Sequence, residues 1–226
     1  MAFNKDTKKI INEYLKSHLA DWDWHKDTFD FVVDEKLRDR LADEFISARY
    51  VYKLLEGMAA DSWLLRAQIR IQIMSYASIY EAVIHHILFD RLSDSAETIS
   101  LTEFNAKKRI SIPANKLSML ENVLEHDGKK IIPTYEGIGR TDVTKVRFDK
   151  KAECAHQIGL IDEWLKDEII EFYEARNAIH IHAEIRKSLD YQLDLSKRAY
   201  LRVEPFIDQI KNNLSIVIAA QIKKTG

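Results

Sequence analysis

Hydrophobic residues recur every three or four positions along most of this chain, which is the spacing of one face of an α-helix. Residues 34–57 show the pattern with Leu37, Leu41, Phe45, Ala48, Val51, Tyr52 and Leu55. The pattern also predicts helices over residues 5–20, 63–92, 114–126, 149–157, 161–189 and 193–223, the last bent or restarted at Pro205, and a short helix over 102–109. We therefore expect an all-α protein, folded as an antiparallel helical bundle.

Glycine and proline are scarce, which supports the same fold class. The 226 residues include six glycines and three prolines, about a third of average usage. Sandwiches, barrels and doubly wound sheets need more of these residues for their turns. Five of the nine lie within 113–139, so we expect a loop over 128–146, with a short hairpin through Val143–Phe148.

The predicted helix 63–92 is apolar on several sides and contains neither glycine nor proline. Such a helix is central in a bundle or has a second partner, such as another subunit. We expect residues 1–60 to be a helical extension packed on the core. Residues 61–226 then form the main helical domain, with a basic loop inserted at about 128–150.

Charge is unevenly distributed, although the net formal charge is only −2. Residues 104–151 hold eleven basic and six acidic side chains, whereas the flanking segments are acidic. This basic island is either a solvated loop or a surface that faces a polyanion. Its candidate RNA-binding residues are Lys129, Lys130, Arg140, Lys145 and Arg147.

The cysteine content and the hydropathy of the chain indicate where in the cell the protein is located. Cys154 is the only cysteine, so an intrachain disulfide and a cysteine-based zinc site are excluded. The first residues lack the apolar region of a signal peptide, and the longest apolar run, Ile216–Ala220, is far too short to cross a bilayer. We expect a soluble cytoplasmic protein without a membrane partner.

The predicted helix 161–189 carries an arginine within its apolar stripe. Arg176 follows Phe172 at i+4, and His180 follows Arg176 at the same interval, whereas His182 points elsewhere on a straight helix. Burying a guanidinium is costly unless it is paired. Arg176 therefore faces a structural carboxylate such as Glu81, a ligand, or a cleft between subunits.

The segment Glu174-Ala-Arg-Asn-Ala-Ile-His-Ile-His182 resembles the R-x(4–6)-H signature of the HEPN superfamily (higher eukaryotes and prokaryotes nucleotide-binding domains). The family favours a polar residue directly after the arginine, and Asn177 fits. The stretch Ser75–Ile84, with Glu81 embedded in it, is similar to the family's early apolar helix, and Ile158–Ile161 resembles its lead-in to the motif. The resemblance covers roughly residues 62–222.

The resemblance implies metal-independent RNA cleavage in a homodimeric cleft, without a cofactor. Arg176, Asn177 and His182 are its candidate catalytic residues, with His180 as the alternative base. Five residues separate Arg176 from His182, within the family range, whereas only three separate it from His180. Family matching thus favours His182 and straight-helix geometry favours His180. A toxin, a phage-defence effector or a processing enzyme fits, with an antitoxin or regulatory protein as a further partner.

Other functions remain open. A non-catalytic helical module would use Arg176 to bind RNA, a nucleotide or a partner protein, or as a structural group. A metal at Glu81, His85 and His86 is disfavoured, because Glu81 and His85 are four residues apart and do not have the Glu-x-x-His spacing of di-metal bundles. The chain also has no G-x-S-x-G and no glycine-rich phosphate loop, which disfavours a serine hydrolase and the common nucleotide-binding folds.

Overall fold

Helices make up most of the computed structural model, which describes residues 2–124, 126–178 and 193–225. The α-helices are α1 (Lys5–His18), α2 (Trp22–Thr28), α3 (Glu35–Gly57), α4 (Ser62–His86), α5 (Ala96–Thr102), α6 (Ala114–Val123), α7 (Phe148–Gln157), α8 (Glu163–Asn177), α9 (Leu193–Leu201) and α10 (Val203–Thr225). A π-helical turn, Ile87–Arg91, continues α4. The expected all-α helical bundle is confirmed. Among the described helices, none has the length and apolar composition needed to cross a bilayer.

Asx caps fix where several helices begin. The side chains of Asn4, Asp21, Asp34 and Asp162 each accept a hydrogen bond from the backbone N–H three residues later, at 2.8–3.1 Å. Such a cap satisfies a backbone donor that the first helical turn leaves without a partner. The sequence therefore specifies these helix starts locally, independently of packing.

Helix α4 lies at the centre of the bundle, as its apolar circumference predicts. Its Tyr80 is fully buried and donates a 2.6 Å hydrogen bond to the carbonyl of Ala199 in α9. The Tyr80 ring stacks on Phe172 of α8 and meets Phe206 of α10 edge-on. Two turns earlier in α4, Gln72 donates to the Ala48 carbonyl of α3 at 2.8 Å. Four helices are thus fixed around α4.

The N-terminal residues share this core. Phe29, Leu41 and Phe45 are buried in the cluster that also contains Tyr76 and Tyr80, and the Phe45 ring contacts Tyr76 edge-on. Helix α3 and the residues that follow α2 therefore contribute to the same apolar interior as α4. The division of the chain near residue 60 stays a prediction.

Two strands form where the sequence predicted a short helix over 102–109 and part of a loop over 128–146. Both predictions were therefore wrong, as was the hairpin predicted through Val143–Phe148. Strand β1 (Glu103–Arg109) occupies the predicted helix 102–109 and pairs antiparallel with β2 (Thr134–Arg140). Val143–Lys145 is a 3₁₀ turn rather than part of a hairpin, because Asp142 accepts a 2.8 Å bond from the Thr144 N–H and closes the chain locally. We call residues 103–140, which hold β1, α6 and β2, the arm.

The two long C-terminal segments are shorter or more divided than the periodicity predicts. Helix α8 covers Glu163–Asn177, and the rest of the predicted helix, residues 179–189, lies outside the described residues. The last segment is restarted, as expected, but before Pro205: α9 ends at Leu201 and α10 begins at Val203. Pro205 then sits in the first turn of α10, where its missing N–H costs nothing.

Candidate functional site

Arg176 lies in the last turn of α8 and is paired with a carboxylate of the central helix. Its Nη1 donates a 2.9 Å hydrogen bond to Oε2 of Glu81 in α4, and a third of its side chain remains exposed. Its guanidinium carbon also lies 5.2 Å from the centroid of the Tyr173 ring. The structural ion pair that the sequence left open is therefore present, and it holds Arg176 at the protein surface.

A second cation shares the same carboxylate. Lys151 in α7 places Nζ 3.7 Å from Oε1 of Glu81, with only 3% of its side chain exposed. Burial lowers the pKa of Lys151, and the nearby Glu81 charge opposes that effect. One carboxylate therefore stands between two cations, one almost fully buried and one partly exposed.

A cavity of about 350 Å³ adjoins this cluster, with Ser78, Glu81, His85, His86, Thr144 and Lys151 among its lining residues. Burial lowers the pKa of His85, and the Lys151 charge adds to the effect. His86 Nδ1 lies 2.7 Å from Oδ2 of Asp90. Among residues 2–124, 126–178 and 193–225, no group of three or more His, Cys, Asp and Glu side chains has the arrangement of a metal site.

Asn177 and Arg147 meet at a second, smaller cavity. Its volume is about 240 Å³, and it is lined by Arg147, Asp149, Ile170, Tyr173, Glu174 and Asn177. Arg147 is ion-paired with Asp149 at 2.9 Å. The Tyr173 ring, which contacts Arg176, also packs 4.6 Å from the ring of Phe148. Tyr173 therefore connects the predicted catalytic pair, Arg176 and Asn177, to a predicted RNA-binding residue.

The other predicted RNA-binding residues lie along the basic segment and line neither cavity. Lys145 is exposed at the end of the 3₁₀ turn. Arg140, in β2, bonds to Glu103 across the sheet at 2.9 Å. Lys129 and Lys130 are exposed in the loop before β2. Of the five, Arg147 is thus the one placed beside Asn177.

His180 and His182 lie outside the described residues. The geometry that favours His180 requires one straight helix through residue 180. Helix α8 ends at Asn177, and Ala178 has a ψ of 2°, away from the helical value. The i+4 relation between Arg176 and His180 therefore has no continuous helix behind it, and the choice between the two histidines rests on the family spacing.

Lys151 and Tyr173 are site residues that the sequence reasoning missed. The signal for Lys151 was its place on the apolar face of α7, three residues after Phe148 and four before Ala155, both fully buried. Tyr173 could have been identified from its spacing, because it lies three residues before Arg176 and therefore on the same face of the helix.

Comparison with known proteins gives no relative: no family model, curated protein or solved structure matches the chain.

Proposed function

We propose that the protein is a metal-independent endoribonuclease of the HEPN type that acts as a homodimer in the cytoplasm. The observation that carries the proposal is the placement of Arg176. Its guanidinium is held by Glu81 at 2.9 Å and by the Tyr173 ring, yet a third of the side chain faces solvent. A guanidinium positioned in this way is preorganised to receive a phosphate.

The chemistry requires no group beyond protein side chains and RNA itself. The 2′-hydroxyl attacks the adjacent phosphorus, the 2′-O–P bond forms, and the bond to the 5′-oxygen breaks. His182 takes the proton of the 2′-hydroxyl or gives one to the leaving 5′-oxygen, since an unperturbed imidazole titrates near pH 6.5. The products are a 2′,3′-cyclic phosphate and a 5′-hydroxyl. His180 is the alternative in this role.

Arg176 and Asn177 act on the phosphate. The planar fork of Arg176 offers donors to the phosphorane oxygens as negative charge builds on them. Asn177, exposed at the end of α8, orients the phosphate or the arginine. Arg147 borders the same small cavity as Asn177 and exchanges its pair with Asp149 for an RNA phosphate.

A homodimer would bring two copies of the motif into one cleft, as the HEPN resemblance implies. The biological setting that fits is a toxin, a phage-defence effector or an RNA-processing enzyme. An antitoxin or regulatory protein is then the expected second partner. Light scattering tests the dimer directly, and a monomeric mass contradicts it.

The activity is tested by incubating purified protein with end-labelled RNA in EDTA. We expect cleavage that leaves cyclic phosphate ends, and no cleavage of a DNA of the same sequence. Arg176→Ala and His182→Ala should each lower the rate at least 100-fold. Arg40→Ala is the matched control, because Arg40 is exposed on α3 in a surface pair with Glu44. The proposal is contradicted if the wild type does not cleave RNA, or if Arg176→Ala and His182→Ala cleave it at the wild-type rate.

The Glu81 ion pair also favours a second candidate, a non-catalytic module that binds RNA, a nucleotide or a partner protein. A salt bridge to the central helix is by itself a sufficient structural reason for Arg176. This candidate expects ligand binding that survives His182→Ala and no RNA cleavage at any protein concentration. A cyclic-phosphate product from the wild type excludes it.

A further inference from the structure

The arm presents two sheet faces of different chemistry. Residues that are directly opposite in an antiparallel pair share a face, and successive residues alternate. The register therefore places the pairs Phe104–Gly139, Ala106–Gly137 and Lys108–Tyr135 on one side. We call this side the stacking face. The other side holds Glu103–Arg140, Asn105–Ile138 and Lys107–Glu136, and is mostly charged.

The glycines of the stacking face provide space rather than an unusual backbone. Neither Gly137 nor Gly139 has a positive φ. A Cβ at Gly139 would lie 2.7 Å from Cζ of Phe104 and 3.0 Å from Cβ of Ala106. The Phe104 ring thus lies over the position that a side chain would fill. Glycine within a strand often marks a close approach by a ligand or another backbone.

The rings of Phe104 and Tyr135 and the side chain of Lys108 lie beside the two glycines. Phe104 and Tyr135 are each 52% exposed. The Tyr135 ring and the stem of Lys108 both lean over Gly137, at 3.4 Å and 3.2 Å from the place of its Cβ. The Lys108–Tyr135 pair lies four residues along β1 from Phe104, a distance of about 14 Å along the strand. The face therefore carries an exposed aromatic ring at each end.

The stacking face carries one cation, Lys108, and further basic residues lie elsewhere in the arm. Lys107 and Arg109 flank Lys108 in β1 but belong to the opposite face, and Lys129 and Lys130 precede β2; all are exposed. Glu136 stands opposite Lys107 on the far side of the sheet, so the ammonium on the stacking face, that of Lys108, has an uncharged cross-strand neighbour, Tyr135. Exposed rings flanked by cations suit single-stranded nucleic acid, because unpaired bases stack on the rings and phosphates attract the cations.

We propose that the stacking face binds single-stranded RNA, with bases stacked on Phe104 and Tyr135 and a phosphate held by Lys108. The choice of RNA rests on the proposed function. A duplex is a poor ligand for this face, since its bases are stacked on one another and not exposed.

The test measures binding separately from cleavage. Fluorescence anisotropy is recorded with a labelled, unstructured RNA whose 2′-hydroxyls are methylated, which can be bound but cannot supply the nucleophile. We expect Phe104→Ala and Tyr135→Ala each to weaken binding about tenfold. Phe104→Leu, which keeps apolar bulk but cannot stack, should do the same. Gly139→Leu should also weaken binding, because its side chain displaces the Phe104 ring.

Ile138→Ala is the matched control, because Ile138 is 58% exposed on the opposite face of the same strand. It should leave the RNA affinity unchanged, and the matching duplex should bind more weakly than the single strand. Wild-type affinity in both Phe104→Leu and Tyr135→Ala overturns the proposal. The proposal is also overturned if Phe104→Leu and Tyr135→Ala change the molar mass measured by light scattering while their RNA affinity stays at the wild-type value. The stacking face then contacts a protein partner.

The outcomes separate this proposal from the proposed function. If the methylated RNA binds through Phe104 while unmodified RNA is never cut, the arm proposal stands and the nuclease fails. If RNA is cut but Phe104→Leu and Tyr135→Ala bind it like the wild type, the nuclease stands and the arm proposal fails.

Discussion

Glu81 and Arg176 lie 95 residues apart in the sequence, and Oε2 of Glu81 accepts a 2.9 Å hydrogen bond from Nη1 of Arg176. The other carboxylate oxygen faces Lys151 at 3.7 Å. One negative charge on the central helix α4 thus balances a cation from α7 and a cation from α8. The three side chains join the helices that carry the candidate site.

Removing the shared carboxylate should cost more stability than removing either cation. Glu81→Gln leaves two neighbouring cations without this counter-charge, and we expect a loss of about 3 kcal/mol in the free energy of unfolding. Arg176→Ala leaves Glu81 with Lys151 and should cost about 1 kcal/mol. Urea unfolding at pH 7 measures both. Glu44→Gln, in the exposed pair with Arg40, is the control and should change stability by less than about 0.5 kcal/mol.

Lys151 should make stability rise with pH in the alkaline range. Burial lowers its pKa in the folded protein, whereas the unfolded chain has a lysine pKa of about 10.4. Between these two values the unfolded state binds more protons, so the free energy of unfolding increases as pH rises. Lys151→Met should remove that increase in urea unfolding at pH 7 compared with pH 9.5. Lys150→Met, at the exposed neighbour, should retain it.

The helices could be predicted because each buries one face and begins at a local cap. Strand β1 could not, because both faces of the arm's sheet are at most half-buried. Glu103–Lys107 alternates polar and apolar residues, but the alternation covers only five residues and ends in the basic run Lys107-Lys108-Arg109, so it is too short to identify a strand. Its partner Thr134–Arg140 contains two glycines, which are typical of loops. The two strands are also far apart in the sequence, and local periodicity cannot show that such distant segments pair.

The candidate site could be predicted in part for a similar reason. Arg176 was identifiable because a charge within an apolar stripe needs a partner, and Glu81 was named as one interpretation. Lys151 was harder to identify, because it ends a run of basic residues that is typical of a solvated surface, although Phe148 and Ala155 place it on the apolar face of α7. Its contact with Glu81 depends on α7 packing against α4, a tertiary relation that no local pattern shows.

Gly159 should resist substitution for backbone reasons alone. It follows α7 with a φ of +82°, and an added Cβ would meet no atom within 4 Å. The left-handed conformation costs an L-residue about 1 kcal/mol, so Gly159→Ala should lower the free energy of unfolding by that amount. Gly159→Asn should cost less, because asparagine tolerates this region better. Equal Tm values for the wild type and the alanine variant contradict this interpretation.

His25 is fully buried, and two hydrogen bonds define its tautomer. Its Nε2 lies 3.0 Å from Nη1 of Arg49, and a guanidinium nitrogen can only donate. Nε2 must therefore accept, and Nδ1 carries the proton and donates to the Asp21 carbonyl at 2.6 Å. Burial lowers the pKa of His25; the bond to Asp21 opposes this effect and the charge of Arg49 adds to it.

Acid should consequently destabilise the protein through His25. The unfolded chain protonates this histidine near pH 6.5, while the folded protein resists protonation. The stabilisation is therefore complete above pH 6.5 and is lost as pH falls toward the lowered pKa of the folded state. His25→Gln, which cannot titrate, should lose less stability than the wild type between pH 7 and pH 5 in urea unfolding. His18→Gln, at an exposed histidine of α1, should behave like the wild type. Equal losses in His25→Gln and the wild type would show that His25 does not set the acid sensitivity.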